Sequence, residues 1–175
     1  MLGAHDGEKY SNSLMLEKSY NWTGVLIEAN ARSFQALLRR RRKAHSLNVI
    51  RRPTPCQFMG GLGVQGRLSR SGDLPTAMHT VTCVPLSSVF EALNWTSADL
   101  LSVDVEGNEL AVLVSAQLLR YRVRLLQVEC KNCDESNNGG KRFVLRQYLS
   151  VLGYVEVDYL FNLDLIFQLQ SDAYK

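Results

Sequence analysis

Gly3-Ala4-His5-Asp6-Gly7 reads as a glycine-rich turn, and about twenty residues later Val25-Leu26-Ile27-Glu28 reads as a buried strand closed by a carboxylate. Glycines let a backbone bend tightly and approach a ligand, and an acid at the tip of a parallel strand can accept hydrogen bonds from ribose hydroxyls. The pair therefore points to an α/β fold with a nucleotide-type cofactor site. The strand that should lead into the turn is reduced to Met1 and Leu2. Its four or five aliphatic side chains would each contribute about 1.5–3 kcal/mol. The expectation is that this central strand is truncated and that the sequence is a fragment or begins at a mis-assigned start.

Outward from the turn, helix-like and strand-like periods alternate, as in α/β chains. A helix is expected over 11–19, with its N-terminus towards the turn. A strand follows over 22–28, then a helix over 31–43 whose Phe34, Leu37 and Leu38 face a core and leave Arg39, Arg40, Arg42 and Lys43 in solvent. From 46 to about 80 the pattern weakens around Pro53, Pro55 and Gly60-Gly61-Leu62-Gly63, and reads as loop with short strands. That glycine stretch lacks the lysine of a phosphate-binding loop. A strand over 81–84 and a short helix with Leu86, Val89, Phe90 and Leu93 on one face come next.

Asp99-Leu100-Leu101-Ser102-Val103-Asp104-Val105-Glu106-Gly107 is the clearest unit of the second half, an apolar strand ending in two carboxylates and a glycine. A helix over 108–119 with Leu110, Leu113, Val114 and Leu118 on one face, a strand over 124–129 closed by Glu129, and a helix over 141–152 stopped by Gly153 complete the alternation. Strands over 154–158 and 163–169 are joined too tightly for a crossover, so they must be antiparallel.

Composition sets limits on function. The 175 residues suit one domain, and a net charge of +3 gives no argument for nucleic acid or an anionic membrane. The basic residues of 39–43, with Arg51 and Arg52, read as a solvated helix face, and no interleaved aromatics offer stacking platforms for RNA. No stretch has the length of a membrane span or the order of a signal peptide, so the chain as written is expected to be soluble and cytoplasmic. Cys130-Lys131-Asn132-Cys133 has metal-ligand or redox spacing, but His5, His45 and His79 offer no matching pair, which leaves two ordinary thiols or a local disulfide and no metal.

The motifs together resemble a known family. Gly3-Ala4-His5-Asp6-Gly7, Ser11-Asn12-Ser13, Glu17, Trp22-Thr23-Gly24 and Leu26-Ile27-Glu28 are similar to the N-terminal signature of FkbM-type methyltransferases. Ser102-Val103-Asp104-Val105-Glu106-Gly107-Asn108-Glu109-Leu110 resembles their second signature, and Gly153-Tyr154 with Asp164-Leu165-Ile166-Phe167 their C-terminal hairpin.

The resemblance implies a Rossmann-like class I methyltransferase sheet, mostly parallel, with a C-terminal antiparallel hairpin, spanning 1–175 as one domain with its first strand truncated. It implies S-adenosylmethionine as cofactor, methyl transfer to oxygen, and a small-molecule or glycan acceptor. Gly3, Ala4, Asp6, Gly7, Asn12 and Glu28 would bind the cofactor, with Asp6 near the ammonium and Glu28 on the ribose. Asp104 and Glu106 would handle the acceptor's hydroxyl proton. Each has a plainer alternative: Asp6-Gly7 as a simple turn, Glu28 paired with Arg32, Glu106 as a helix cap. No histidine or lysine stands out as base. Some relatives, such as the insect membrane protein Star, act in trafficking, so an inactive adaptor module is the alternative function. Asn21-Trp22-Thr23 and Asn94-Trp95-Thr96 fit the glycosylation acceptor pattern, and animal relatives often carry an N-terminal anchor in the secretory pathway. A membrane association would then come only through a segment upstream of Met1. The acceptor's identity would be set by the loops over 56–80 and 132–138.

Overall fold

Three consecutive aliphatic residues form β1 (Val25–Ile27), buried at every position. Its parallel partner is β2 (His45–Leu47), in register Val25 with His45 and Ile27 with Leu47. Parallel strands need a crossover, and α2 (Ala31–Arg39) supplies it. Asn30 starts that helix, its side-chain oxygen accepting from the amides of Arg32 and Ser33 at 2.9 and 3.1 Å. On the opposite edge of β1, Met1 and Leu2 run alongside in parallel. Leu2 bridges to Ile27, whose N–H donates to the Met1 carbonyl at 2.9 Å. These two residues hold the register expected of a strand entering the glycine turn.

The computed structural model describes residues 1–49, 56–60, 66–68, 78–81, 84–131, 133 and 139–170. They form two compact units, Met1–Pro85 with Val105–Gly107, and Leu86–Asp104 with Asn108–Lys175. In the first, α1 (Leu14–Tyr20) precedes β1, and Ala4, Leu26, Leu37 and Ala44 make a core on which Met1 and Phe34 pack. The stretch read as loop with short strands contains an antiparallel sheet of β3 (Cys56–Gly60), β4 (Gly66–Leu68) and β5 (Met78–Val81), ordered β4-β3-β5. Pro53, Pro55, Arg51, Arg52 and residues 61–65 lie outside the described residues.

The second unit carries α3 (Leu86–Ala92), β6 (Ala98–Val103), α4 (Glu109–Val114), β7 (Val123–Glu129), α5 (Gly139–Val151), β8 (Tyr154–Leu160) and β9 (Asp164–Leu169). Its sheet runs β6-β7-β9-β8, with β6 and β7 parallel and the other pairings antiparallel. The expected closing hairpin is present, its connection turning through Phe161 and Asn162 at φ 53° and 55°. Val103, Leu113, Val123, Leu126, Leu149, Leu165 and Phe167 fill the core, and the Tyr154 hydroxyl donates to the Val123 carbonyl at 2.6 Å.

Several expectations are corrected. The architecture is mixed α/β, but among the described residues only β1–β2 and β6–β7 are parallel strand pairs. α4 is shorter than expected because the Ser115 hydroxyl bonds back to the Ala111 carbonyl at 3.2 Å and Gln117 turns left-handed at φ 51°. Val114 and Leu38, assigned to core faces, are 56% and 46% exposed. α2 ends early, and Arg41 at φ 50° turns the chain so that Arg42 points inward, its side chain only 3% exposed. The basic run is therefore not a uniformly solvated face. Cys130 and Cys133 are joined as a disulfide, and the Tyr159 hydroxyl binds both the Cys133 amide, at 2.8 Å, and the Cys130 carbonyl, at 3.1 Å. Asn21 and Asn94 are exposed, each left-handed just beyond a helix. Among the described residues no helix is long and apolar enough to cross a membrane.

Candidate functional site

The glycine turn and the end of β1 are built as one piece. Gly3 and Ala4 both donate to the Ile27 carbonyl, at 3.0 and 3.1 Å. The next amide, from His5, donates to Glu28 Oε2 at 2.7 Å, and the Asn30 amide donates to Glu28 Oε1, also at 2.7 Å. The acid at the strand tip thus clamps the turn before it and the helix after it. Glu28 is 8% exposed. Burial pushes its carboxyl above the usual carboxylate range, against the pull of the Asn30 and His5 amides and of the His5 imidazole.

Past His5, itself left-handed at φ 49°, the turn closes on itself. Gly7 donates to the Ala4 carbonyl at 2.9 Å, and Asp6 Oδ1 accepts from the Glu8 and Lys9 amides at 3.0 and 2.8 Å. The Asp6 Oδ2 atom lies 3.4 Å from Arg40. Burial raises the Asp6 carboxyl, but the two amides, His5 and Arg40 outweigh it and hold it below the ordinary range. Asp6 is thereby engaged as a turn former. Gly7 sits at φ +81°, and a Cβ there would stand 2.3 Å from Leu37 Cδ1. Glycine is required here by conformation and by packing on α2. Asn12, half-buried, lies between Ser11 and Ser13 ahead of α1.

The basic run supports this turn. Arg42 donates to the Gly7 carbonyl and to the Ser11 and Ser13 hydroxyls, and its Nε lies 3.0 Å from Glu17 Oε1. Glu17 in turn accepts from the Lys43 and Ala44 amides at 2.9 and 3.3 Å. Burial tends to raise the Glu17 carboxyl, but the bonds from Arg42, Lys43 and Ala44 hold it low. The sequence pattern assigned Arg42 to solvent and did not reveal these contacts with the turn. Only the serines and Glu17 in the quoted signature, all of them its partners, could have signalled them.

At the end of β6, Asp104 is half-buried, while Glu106 is exposed and left-handed at φ 52° and is followed by Gly107 at φ 98°. The helix after this turn is initiated at Asn108, so Glu106 does not cap it. Glu129, closing the neighbouring parallel strand, brings a carboxylate oxygen within 4.8 Å of one from Asp104. Two acids meeting at adjacent strand ends can exchange or hold a proton, and could also hold a hard cation. Residues 134–138, expected near an acceptor, lie outside the described residues.

Residues 2–156 match the family model of the methyltransferase FkbM domain. No curated protein and no solved structure gives a match.

Proposed function

The chain belongs to the methyltransferase FkbM family, and from that membership we propose that it uses S-adenosylmethionine to methylate a hydroxyl of a small molecule or glycan. The observation that carries the choice of cofactor is how the turn's amides are used. Gly3, Ala4, His5, Gly7, Glu8 and Lys9 all donate within the protein. A dinucleotide-binding turn aims such amides at a pyrophosphate, and these are already engaged. A buried carboxylate beside an internally bonded turn suits a ligand with ribose hydroxyls and positive charge instead. S-adenosylmethionine has that chemistry, and when bound it supplies an electrophilic methyl group on a sulfonium.

The residues take these roles in the proposal. Gly3, Ala4 and Gly7 shape the backbone against which the cofactor lies, with Asn12 at its margin. The Glu28 oxygens, which accept the His5 and Asn30 amides, also take the ribose hydroxyls in this reading. Asp6 holds the turn and adds negative charge for the ammonium. Asp104, with Glu106, takes or orients the acceptor hydroxyl's proton. The class I arrangement of the sheet is part of the same reading.

The test is calorimetric titration of the chain with S-adenosylhomocysteine. Wild-type protein should bind and E28A should not. Equal affinity in folded E28A removes Glu28 from the site. With an acceptor in hand, D104N should keep cofactor affinity and lose roughly 10²–10⁴-fold in transfer rate.

A further inference from the structure

Arg42 stands where nothing in α2 would place it. After Arg39 the helix ends, Arg41 adopts φ 50°, and the next side chain is driven inward until 3% of it is exposed. Its guanidinium then serves three separate pieces of chain. It donates to the carbonyl of Gly7, to the hydroxyls of Ser11 and Ser13 at 3.2 and 3.4 Å, and pairs with Glu17 across 3.0 Å. Glu17 ties the same stretch back through the amides of Lys43 and Ala44. The stem of Arg42 also lies against the turn, with Cγ 3.6 Å from where a Gly7 Cβ would be.

Burying an ion pair is a poor route to stability, because desolvation cancels much of the attraction. What a buried guanidinium does well is fix directions, since its planar fork holds several acceptors at once. Here the acceptors are the last residue of the glycine turn and the segment entering α1. Removing the fork would leave half-buried Glu17 without its cation and let the turn move relative to Glu28. We propose that Arg42, held by Glu17, is the positioning residue of the cofactor turn, fixing the backbone between Gly7 and Ser13 for ligand binding. This rests on the reading of the turn as the cofactor site. Arg40 differs: it is half-exposed and pairs with Asp6 and Glu8 at 3.4 and 3.0 Å, contacts that solvent screens.

The experiment titrates S-adenosylhomocysteine into the full chain as wild type, R42K, R42Q and R40Q, with the urea midpoint of each measured alongside. A misplacement of about 1 Å at a site can cost on the order of 100-fold. R42K, which keeps the charge but loses the fork, should bind roughly tenfold or more weakly with a midpoint close to wild type, while R40Q stays within about twofold. The Gly7 and Ser11 amide resonances should shift more in ligand-free R42K than in R40Q, whose effect should centre on Asp6 and Glu8, the residues Arg40 pairs with. Wild-type affinity in folded R42K overturns the positioning role. So does an affinity loss no larger than the unfolded fraction explains. If wild type itself does not bind, the cofactor reading falls and takes this role with it, an outcome distinct from wild-type binding that Arg42 does not affect.

Discussion

Glu28 and Asp104 each follow an apolar parallel strand, yet the two strand ends are made differently. After β1 the acid is buried, and both its oxygens are bonded to backbone amides on either side. After β6 the chain passes through half-buried Asp104 into exposed, left-handed Glu106 and Gly107. The same sequence pattern thus yields a buried carboxylate bonded to backbone amides in one place and a half-buried one leading into an exposed turn in the other. The difference lies in what the next residues do. Asn30 starts a helix with its own side chain and returns an amide to Glu28, whereas two consecutive positive-φ residues carry Glu106 outward.

The glycines of the two turns should show the largest contrast. G7A combines a left-handed backbone with a clash against Leu37, so a loss of roughly 2–5 kcal/mol is expected. Gly107 has φ +98° but nothing within 4 Å of its added Cβ. G107A should cost only about 1–2 kcal/mol, for the backbone alone. Urea denaturation measures both, and equal losses would erase the distinction.

The acids come next. E28Q turns an amide N–H₂ towards a backbone donor and should lose about 1–3 kcal/mol. E106Q, on an exposed side chain, should stay within about 0.5 kcal/mol of wild type. A destabilised E106Q would mean that its turn is scaffold as well.

The smallest effect is a pH dependence of opposite signs. Glu28 has a raised carboxyl, so its contribution is fully present below the ordinary value of 4.5 and is lost as pH rises through its folded value. Glu156 is the converse case. Burial raises it, but Arg146 and Arg142 outweigh that and hold it below 4.5. Its contribution is present above 4.5 and is lost as pH falls through its folded value. The urea midpoint of E156Q should therefore fall less steeply on acidification than that of wild type, and that of E28Q more steeply. Parallel curves for all three would contradict both assignments.

Much of this was legible in the sequence because it is local. The aliphatic run before Glu28, the period of Leu145 and Leu149, and the short link between β8 and β9 each carry their own signal. The glycine turn was legible too, with φ positive at Gly3 and Gly7. What escaped depends on partners distant in the chain or on single backbone angles. Short strands were expected between 46 and 80, but not their bounds or the β4-β3-β5 pairing, because in segments of weak periodicity only the partner strand stabilises extension. Arg42 lies in a basic run that composition assigns to solvent, and only the left-handed Arg41 reverses it. Asp6 was legible as an acid in a turn, but its two amide bonds and Arg40 appear only once the chain is folded.

The central claim is that the turn from Gly3 to Gly7 and Glu28 form one cofactor-binding piece. Its most direct test is an amide-resolved NMR titration of the unmutated chain with S-adenosylhomocysteine, which leaves the structural bonds of Glu28 intact. Saturable shifts centred on the His5 and Asn30 amides, which donate to Glu28, are predicted. Saturable shifts confined to residues outside the turn and the end of β1, or no shifts at all, would contradict it.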